Sequence, residues 1–242
     1  MGRIIATTSG KGGVGKSTVA AGLGFAFALK GEKVLIVDMD EGLRCLDLIL
    51  GVDDSAVLDL SDALNGADIE DVAYSCRHKN LFLVPAPANV GEIDPDKFEK
   101  FVRQVKSLYD IVIFDFPAGL DFTLYTKLPK TAVFMTVAVP DNVSVRDAAA
   151  VSFKLHNLGL SSRLIINRYR FKFMKKSKRK NIDGIIDSAG LRLLGIVPER
   201  QELNSLSLTH NIRKRGPAMK AFTRIANRLL EEDVPLPNPK KI

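Results

Sequence analysis

The chain lacks the features that mark several special classes of protein. Its 242 residues include two cysteines, Cys45 and Cys76, and no tryptophan. Two distant cysteines without a C-x-x-C spacing exclude a disulfide framework and offer no zinc site. The longest apolar stretch, residues 18–29, is shorter than the roughly 20 residues of a bilayer span, and no signal peptide precedes the first apolar run. These features predict a globular protein located in the cytoplasm.

The positive charge is concentrated in one segment. The formal net charge is +7, yet residues 168–180 carry eight basic and no acidic side chains, so the rest of the chain is almost neutral. Such a segment can bind an anionic membrane, where each cation contributes about 1 kcal/mol, or the phosphates of DNA. Phe171, Phe173 and Met174 within it could insert into lipid or stack on bases. The alternative is a solvated loop without a partner.

Short apolar runs alternate with helical patterns, which is typical of parallel βαβ units. Strands are predicted at Ile4–Thr8, Val34–Asp38, Leu81–Pro85, Ile111–Asp115, Ala132–Val139, Leu164–Asn167 and Leu194–Val197. Helices are predicted at Lys16–Lys30, Asp94–Leu108, Ser144–Leu158, Asp183–Ala189 and Pro217–Glu231. Several strands are apolar at both parities, so helices should cover both sheet faces. The sequence therefore predicts an α/β fold, a three-layer α/β/α sandwich around a mostly parallel sheet of about seven or eight strands.

The domain organisation is simple. No internal repeat or linker divides residues 1–232, which we interpret as one domain. Residues 233–242 carry proline at positions 235, 237 and 239, which excludes a helix and predicts an extended or disordered tail.

The segment SGKGGVGKST, residues 9–18, follows the first predicted strand and begins the first helix. It matches G-x-x-x-x-G-K-[ST], in which glycines let successive N–H groups converge on a polyphosphate at a helix N-terminus. Lys16 should reach the β and γ phosphates, Ser17 should bind Mg²⁺, and Thr18 should contact the α phosphate. We therefore predict a phosphate-loop NTPase that binds ATP or ADP with Mg²⁺ through Gly10, Lys11, Gly12, Gly13, Val14, Gly15, Lys16, Ser17 and Thr18.

Lys11 adds a second lysine to this loop. The resulting pattern K-G-G-x-G-K-[ST] is the deviant phosphate loop, and in it the chain resembles the MinD/ParA family of ATPases. In that family the matching lysine crosses a dimer interface to the partner's phosphates. The resemblance therefore implies a catalytic role for Lys11 beside Lys16, and a homodimer that forms with ATP. The alternative is a solvated surface lysine.

The segment VDMDEGLRCLDLILG, residues 37–51, begins at the end of the second predicted strand. Carboxylates at this edge of a parallel sheet face the ligand crevice. Asp40 could orient the attacking water or hold it through Mg²⁺, although Asp38 and Asp40 could also be helix N-caps. The segment resembles the first switch of the MinD branch, D-x-D-x-G-L-R-x-L-D-L-x-x-G. Those proteins commonly carry Asn where this chain has Cys45, which implies slow hydrolysis or another group that holds the water.

A buried-strand pattern ends at Asp115, the arrangement called Walker B. Asp115 should accept a hydrogen bond from a magnesium-bound water or from Ser17. The next residues, Pro117, Ala118 and Gly119, resemble the family's second switch, where backbone close to the γ phosphate senses its presence.

Two further sites are predicted outside the phosphate loop and the switches. Asn167 and Arg168 end a predicted strand, and the family places such a pair at the base pocket near Pro198 and Glu199; an Asn amide can pair with the N6 and N7 edge of adenine. Asp147 lies in a stretch, SVRD, that resembles the helix on which MinD regulators dock. An ordinary strand end and an ordinary helix start are the respective alternatives.

The resemblance implies an ATPase that binds Mg·ATP, dimerises face to face, recruits a partner and is reset by hydrolysis. By analogy its role is the spatial regulation of bacterial division, with a septum inhibitor and an ATPase stimulator as partners, at the inner face of the membrane. The proline-spaced tail does not match the amphipathic C-terminal helix by which MinD proteins usually bind membranes. The alternatives are a ParA-like DNA partition ATPase or flagellar-number regulator that uses residues 168–180, and a metabolic enzyme on the same scaffold, such as a ligase or an amide-forming synthase that uses ATP to activate a carboxylate.

Overall fold

The computed structural model describes residues 2–40, 45–52, 56–88, 91–119, 121–171, 181–203, 212 and 215–237. Its middle layer is an eight-stranded sheet in the order β3-β4-β2-β5-β1-β6-β7-β8. Only β3 is antiparallel to its neighbour within the described sheet. The strands are β1 Arg3–Thr8, β2 Val34–Asp38, β3 Tyr74–Ser75, β4 Leu81–Val84, β5 Ile111–Asp115, β6 Val133–Ala138, β7 Ser162–Tyr169 and β8 Arg192–Pro198.

Helices cover both faces of this sheet. They are α1 Lys16–Leu29, α2 Cys45–Leu50, α3 Leu60–Leu64, α4 Ile69–Val72, α5 Pro95–Leu108, α6 Asn142–Asn157, α7 Ile182–Ala189 and α8 Pro217–Leu229, with short 3-10 turns at Leu124–Lys127 and Gln201–Leu203. In β2, Val34 and Ile36 pack with α1, α2 and α8, whereas Leu35 and Val37 pack with α3, α4 and α5. Burial of both parities of one strand confirms the predicted three-layer α/β/α sandwich.

All seven predicted strands and all five predicted helices are present, and their ends lie within two residues of the predicted ends. The sequence reading missed β3, α2, α3 and α4, which have between two and six residues. Such elements are too short for a hydrophobic period to emerge.

The strand register sets the geometry of the candidate site. Asp38, the last residue of β2, is paired in register with Asp115, the last residue of β5. On the other side of β5, Thr7 of β1 is paired with the same Asp115. The loop between β1 and α1 starts at this edge, so the phosphate-loop and switch segments meet where parallel strands end.

The C-terminal part of the described chain is attached to the last strand. Arg228 of α8 donates hydrogen bonds to the carbonyl oxygens of Leu194 in β8 and Val234 beyond the helix. Residues 232–237 have no regular secondary structure, and residues 238–242 of the predicted tail lie outside the described part. None of the described helices has the length and apolarity needed to cross a bilayer.

Candidate nucleotide-binding site

The loop of residues 9–15 connects β1 to α1. The two lysines of its motif differ in their exposure to solvent. Lys16 is the first residue of α1 and only 7% exposed, whereas Lys11 is exposed to solvent. The hydroxyl of Ser9 donates to the carbonyl oxygen of Lys11 over 2.8 Å and so fixes the backbone below that exposed side chain. The first turn of α1 contains no acidic residue, so the positive end of its dipole is available to an anion.

The start of the loop packs directly on α6. A Cβ atom at Gly10 would lie 2.6 Å from the backbone oxygen of Asp147, closer than any side chain tolerates. Gly10 is therefore needed for a close approach between the loop and the helix that carries the SVRD stretch. The structure thus brings the predicted partner-binding residue Asp147 to the phosphate loop.

Three carboxylates converge opposite the loop. Asp115 is completely buried and accepts a hydrogen bond from the Thr7 hydroxyl over 2.5 Å, and the Ser17 hydroxyl lies close enough to lower its pKa. The backbone N–H of Asp40 donates to Oδ1 of Asp38 over 3.0 Å. Thr7 was not among the predicted residues, because a threonine inside an apolar strand carries no motif.

The electrostatics of this cluster are unfavourable without a cation. Burial, reinforced by the neighbouring Asp115, raises the pKa of Asp38 from 3.8 to about 7. Burial also raises the pKa of Asp115, although Lys16 and the hydroxyls of Ser17 and Thr7 oppose the shift. A bound cation would favour the ionised form of both carboxylates.

The residues present fit a magnesium ion that arrives with a nucleotide. Oδ2 of Asp115 is buried and has no hydrogen-bond partner in the described structure, and Ser17 lies beside the same carboxylate. No group of three His, Cys, Asp or Glu side chains within the described ranges could hold a metal by itself. Mg²⁺ at nucleotide sites is characteristically bound by one or two side chains together with phosphate oxygens and water.

We expect Asp38→Asn to stabilise the nucleotide-free protein at pH 8 by roughly 4 kcal/mol, because a shift from 3.8 to about 7 spans about three pKa units. Between those values the unfolded chain loses this proton while the folded chain retains it, so stability falls as the pH rises from about 4 to about 7. At pH 5 the gain should shrink to roughly 2 kcal/mol. Urea unfolding at both pH values measures it.

The exposed Asp68 provides the matched control, since Asp68→Asn changes the same group without burial. The control should unfold like the parent protein at both pH values. Equal unfolding free energies of Asp38→Asn and the parent at pH 8 would contradict a burial penalty at Asp38.

The second switch lies next to the phosphate loop and to Asp40 of the first switch. The backbone N–H of Gly119 donates to the carbonyl oxygen of Ser9 over 3.0 Å, which joins the switch to the phosphate loop. Pro117 and Ala118 are exposed. Pro117 and Asp40 line one cavity of about 450 Å³, whose rim carries two carboxylates that the sequence reading did not single out, Glu92 and Asp121.

The four residues predicted for the base pocket are also brought together. Asn167, Arg168, Pro198 and Glu199 line a small cleft with Thr18. The amide of Asn167, however, already donates from Nδ2 to the carbonyl oxygen of Val14 over 2.8 Å. The amide nitrogen carries a second N–H and the amide oxygen can accept, so pairing with the N6 and N7 edge of adenine is compatible with this bond and stays a prediction.

Several predictions concern residues at or beyond the edge of the described ranges. Residues 41–44 of the first switch and residues 172–180 of the basic segment lie outside them. At the start of the basic segment, Arg170 forms an ion pair with Glu199, and Phe171 is half-buried against the α6 and α7 core. Part of the Phe171 ring is therefore packed in the fold, and its contact with lipid or bases stays a prediction.

Cys45 begins α2 and is exposed, beside the carboxylates of the first switch. Partial burial and the charges of Asp38 and Asp40 raise the pKa of its thiol. The residue is therefore a neutral thiol close to Asp40, where the MinD branch commonly has an amide.

Comparison with known proteins agrees with this geometry. A family model described as the CobQ/CobB/MinD/ParA nucleotide binding domain matches residues 5–212. The septum site-determining protein MinD of Thermotoga maritima is 32% identical, over 98% of this chain and 92% of that protein. Among solved structures, MinD in the MinC:MinD cell division protein complex of Aquifex aeolicus is 32% identical with a TM-score of 0.86, over 98% of this chain and 99% of that one.

A second solved structure is that of a nucleotide complex. The septum site-determining protein MinD of Pyrococcus horikoshii, complexed with Mg-ADP, is 27% identical with a TM-score of 0.80, over 97% of this chain and 100% of that one. These similarities confirm the resemblance read from Lys11 and the first switch. The chain belongs to the MinD/ParA family of nucleotide-binding proteins, and the relatives it matches over nearly its full length are septum site-determining MinD proteins.

Proposed function

We propose that the protein is a MinD-like ATPase that binds Mg·ATP, dimerises face to face, recruits a regulator and is reset by hydrolysis. The observation that carries the proposal is the separation of the two loop lysines. Lys16 is buried near Asp115, where it serves its own nucleotide, while Lys11 extends into solvent from a fixed backbone. A lysine held outside its own site is available to a second copy of the chain. Residues 1–232 form the ATPase domain in this proposal.

The remaining site residues have separate roles in nucleotide binding and hydrolysis. Lys16 and the N-terminus of α1 bind the phosphates. Ser17 and Asp115 hold Mg²⁺, which when bound neutralises charge that develops on the phosphate oxygens. Asp40, half-buried beside them, orients the attacking water. Pro117, Ala118 and Gly119 respond to the γ phosphate through their link to Ser9.

The outer face of α6 is the proposed docking surface for a regulator. Val143 and Phe153 are 47% and 67% exposed, and with Ala150 they follow a helical spacing on one face. Asp147 lies on the same helix, in contact with Gly10. The MinC:MinD complex among the structural neighbours supports a partner of this kind. The biological role we propose is spatial regulation of cell division, by a cytoplasmic protein that acts at the inner face of the membrane.

The test measures molar mass by light scattering with Mg·ATP, Mg·ADP and no nucleotide. A dimer with ATP and a monomer with ADP support the proposal, and a mass independent of the nucleotide contradicts it. Sedimentation with anionic liposomes and with duplex DNA, at two salt concentrations, identifies the receptor. ATP-dependent binding to liposomes supports a membrane cycle that uses residues 168–180, whereas ATP-dependent binding to DNA indicates the partition class.

A further inference from the structure

The side-chain amide of Asn167 lies against the phosphate loop. Asn167 is only 3% exposed, and its Nδ2 atom lies 2.8 Å from the carbonyl oxygen of Val14. A carbonyl oxygen only accepts hydrogen bonds, so this contact requires the NH₂ group of the amide to face the loop. The orientation of Asn167 is therefore set by the loop whether or not a base is present.

The backbone of β7 is shaped to make this contact. The register between β7 and β8 shifts between Ile166 and Tyr169, and Arg168 within the shift has a φ of 53°. A left-handed conformation is uncommon for a residue other than glycine, and an irregularity of this kind re-aims the side chains of a strand. Here the irregular residue directly follows Asn167.

The contact also determines the direction of the N–H bond in the same peptide group, which links Val14 to Gly15. In a trans peptide the C=O and N–H bonds point in opposite directions. Because the Val14 oxygen faces Asn167, the N–H of Gly15 points away from Asn167. Gly15 has a φ of 89°, and a Cβ atom there would lie 2.4 Å from Nδ2 of Asn167. Asn167 thus packs on both halves of the Val14–Gly15 unit.

We propose that Asn167 is a positioning residue for the phosphates: its hydrogen bond to Val14 holds the Val14–Gly15 peptide so that the N–H of Gly15 faces the polyphosphate. The inference rests on the proposed binding of nucleotide at this loop. It differs from a base contact in one measurable respect. A residue that only contacts the base affects ligands that have a base, whereas a residue that orients the loop affects every polyphosphate.

The test compares ATP with inorganic tripolyphosphate, which has no base. Asn167→Leu removes the amide at similar volume and without a charge that would repel phosphate, and Asn167→Ala is the second variant if leucine prevents folding. Displacement of a fluorescent ATP analogue, with Mg²⁺ present, gives both affinities. We expect Asn167→Leu to weaken tripolyphosphate and ATP by a similar factor, about tenfold, as the loss of one hydrogen bond implies.

The matched control is Asn80, whose Nδ2 donates to the carbonyl oxygen of Gly31 over 3.0 Å at the other end of α1. Asn80→Leu should leave both affinities unchanged. If the Asn167 variants weaken ATP alone and bind tripolyphosphate like the parent, Asn167 acts on the base and the inference is wrong. A parent protein that binds neither ligand would instead contradict the proposed function.

Discussion

Replacement of Lys11 by alanine is expected to abolish the ATP-dependent dimer while leaving the monomer able to bind ATP. Its side chain is exposed and its backbone is held by Ser9. The truncation therefore removes a charge from the surface of the loop without disturbing Lys16. Hydrolysis should fall by about 1,000-fold, the range contributed by a cation that one chain supplies to the site of another.

Two control variants distinguish a role of Lys11 in the dimer from a general loss of positive charge. Lys16→Ala should weaken ATP binding itself, because Lys16 lies within the loop beside Asp115. Lys100→Ala removes an exposed lysine from α5 and should change neither binding nor dimerisation. Light scattering with Mg·ATP and nucleotide titration report the two properties independently. A Lys11→Ala protein that dimerises like the parent would eliminate the crossing role.

The phosphate loop could be predicted from the sequence because its residues are neighbours along the chain. Residues 9–18 contain the loop, both lysines and the start of α1, so one short motif specifies the whole phosphate cradle. Asp38 and Asp115 were predicted because each ends an apolar run, and carboxyl ends of parallel strands share one edge of a sheet. The hydrophobic pattern of the strands likewise specified the three layers.

Contacts between distant segments had no such signal. The bond from Asn167 to Val14 joins residues 153 positions apart, and no sequence pattern displays the register shift or the left-handed Arg168 beside it. The short helix α3 depends on Asp59, which caps the helix and accepts from the backbone N–H of Ala88, beyond β4. Propensity over five residues is too weak to predict a helix held by such a contact.

For Asp38, the sequence predicts the position of the residue but not its pKa. Its place at the end of β2 could be read from the sequence, but its raised pKa results from burial and from Asp115 in the neighbouring strand. Both depend on the assembled sheet. The assembled site therefore places a cluster of carboxyl groups opposite a cationic loop, an arrangement that fits the Mg²⁺ and phosphates of the proposed nucleotide.

Asp40→Ala is expected to trap the protein as an ATP-bound dimer. The backbone N–H of Asp40 donates to Asp38, which holds the end of β2 in place, and a side-chain truncation leaves that hydrogen bond intact. Binding groups and Lys11 are unchanged, so ATP should still drive dimerisation. The water, however, loses the carboxylate that orients it, and hydrolysis should fall by about 100-fold or more.

Phosphate release and the lifetime of the dimer after ATP is diluted measure the two effects together. Asp121→Ala is the matched control, since Asp121 lines the same cavity as Asp40 from the side of the second switch and has its own hydrogen bonds to Thr123. It should retain turnover, because it is exposed and lies beyond the phosphate-loop contacts. Normal phosphate release by Asp40→Ala would remove this carboxylate from the mechanism. Asp40→Ala should form a stable dimer that releases little phosphate, and the double variant with Lys11→Ala should form no dimer. Together these results would show that the two residues act at successive steps, Lys11 in assembly of the dimer and Asp40 in hydrolysis.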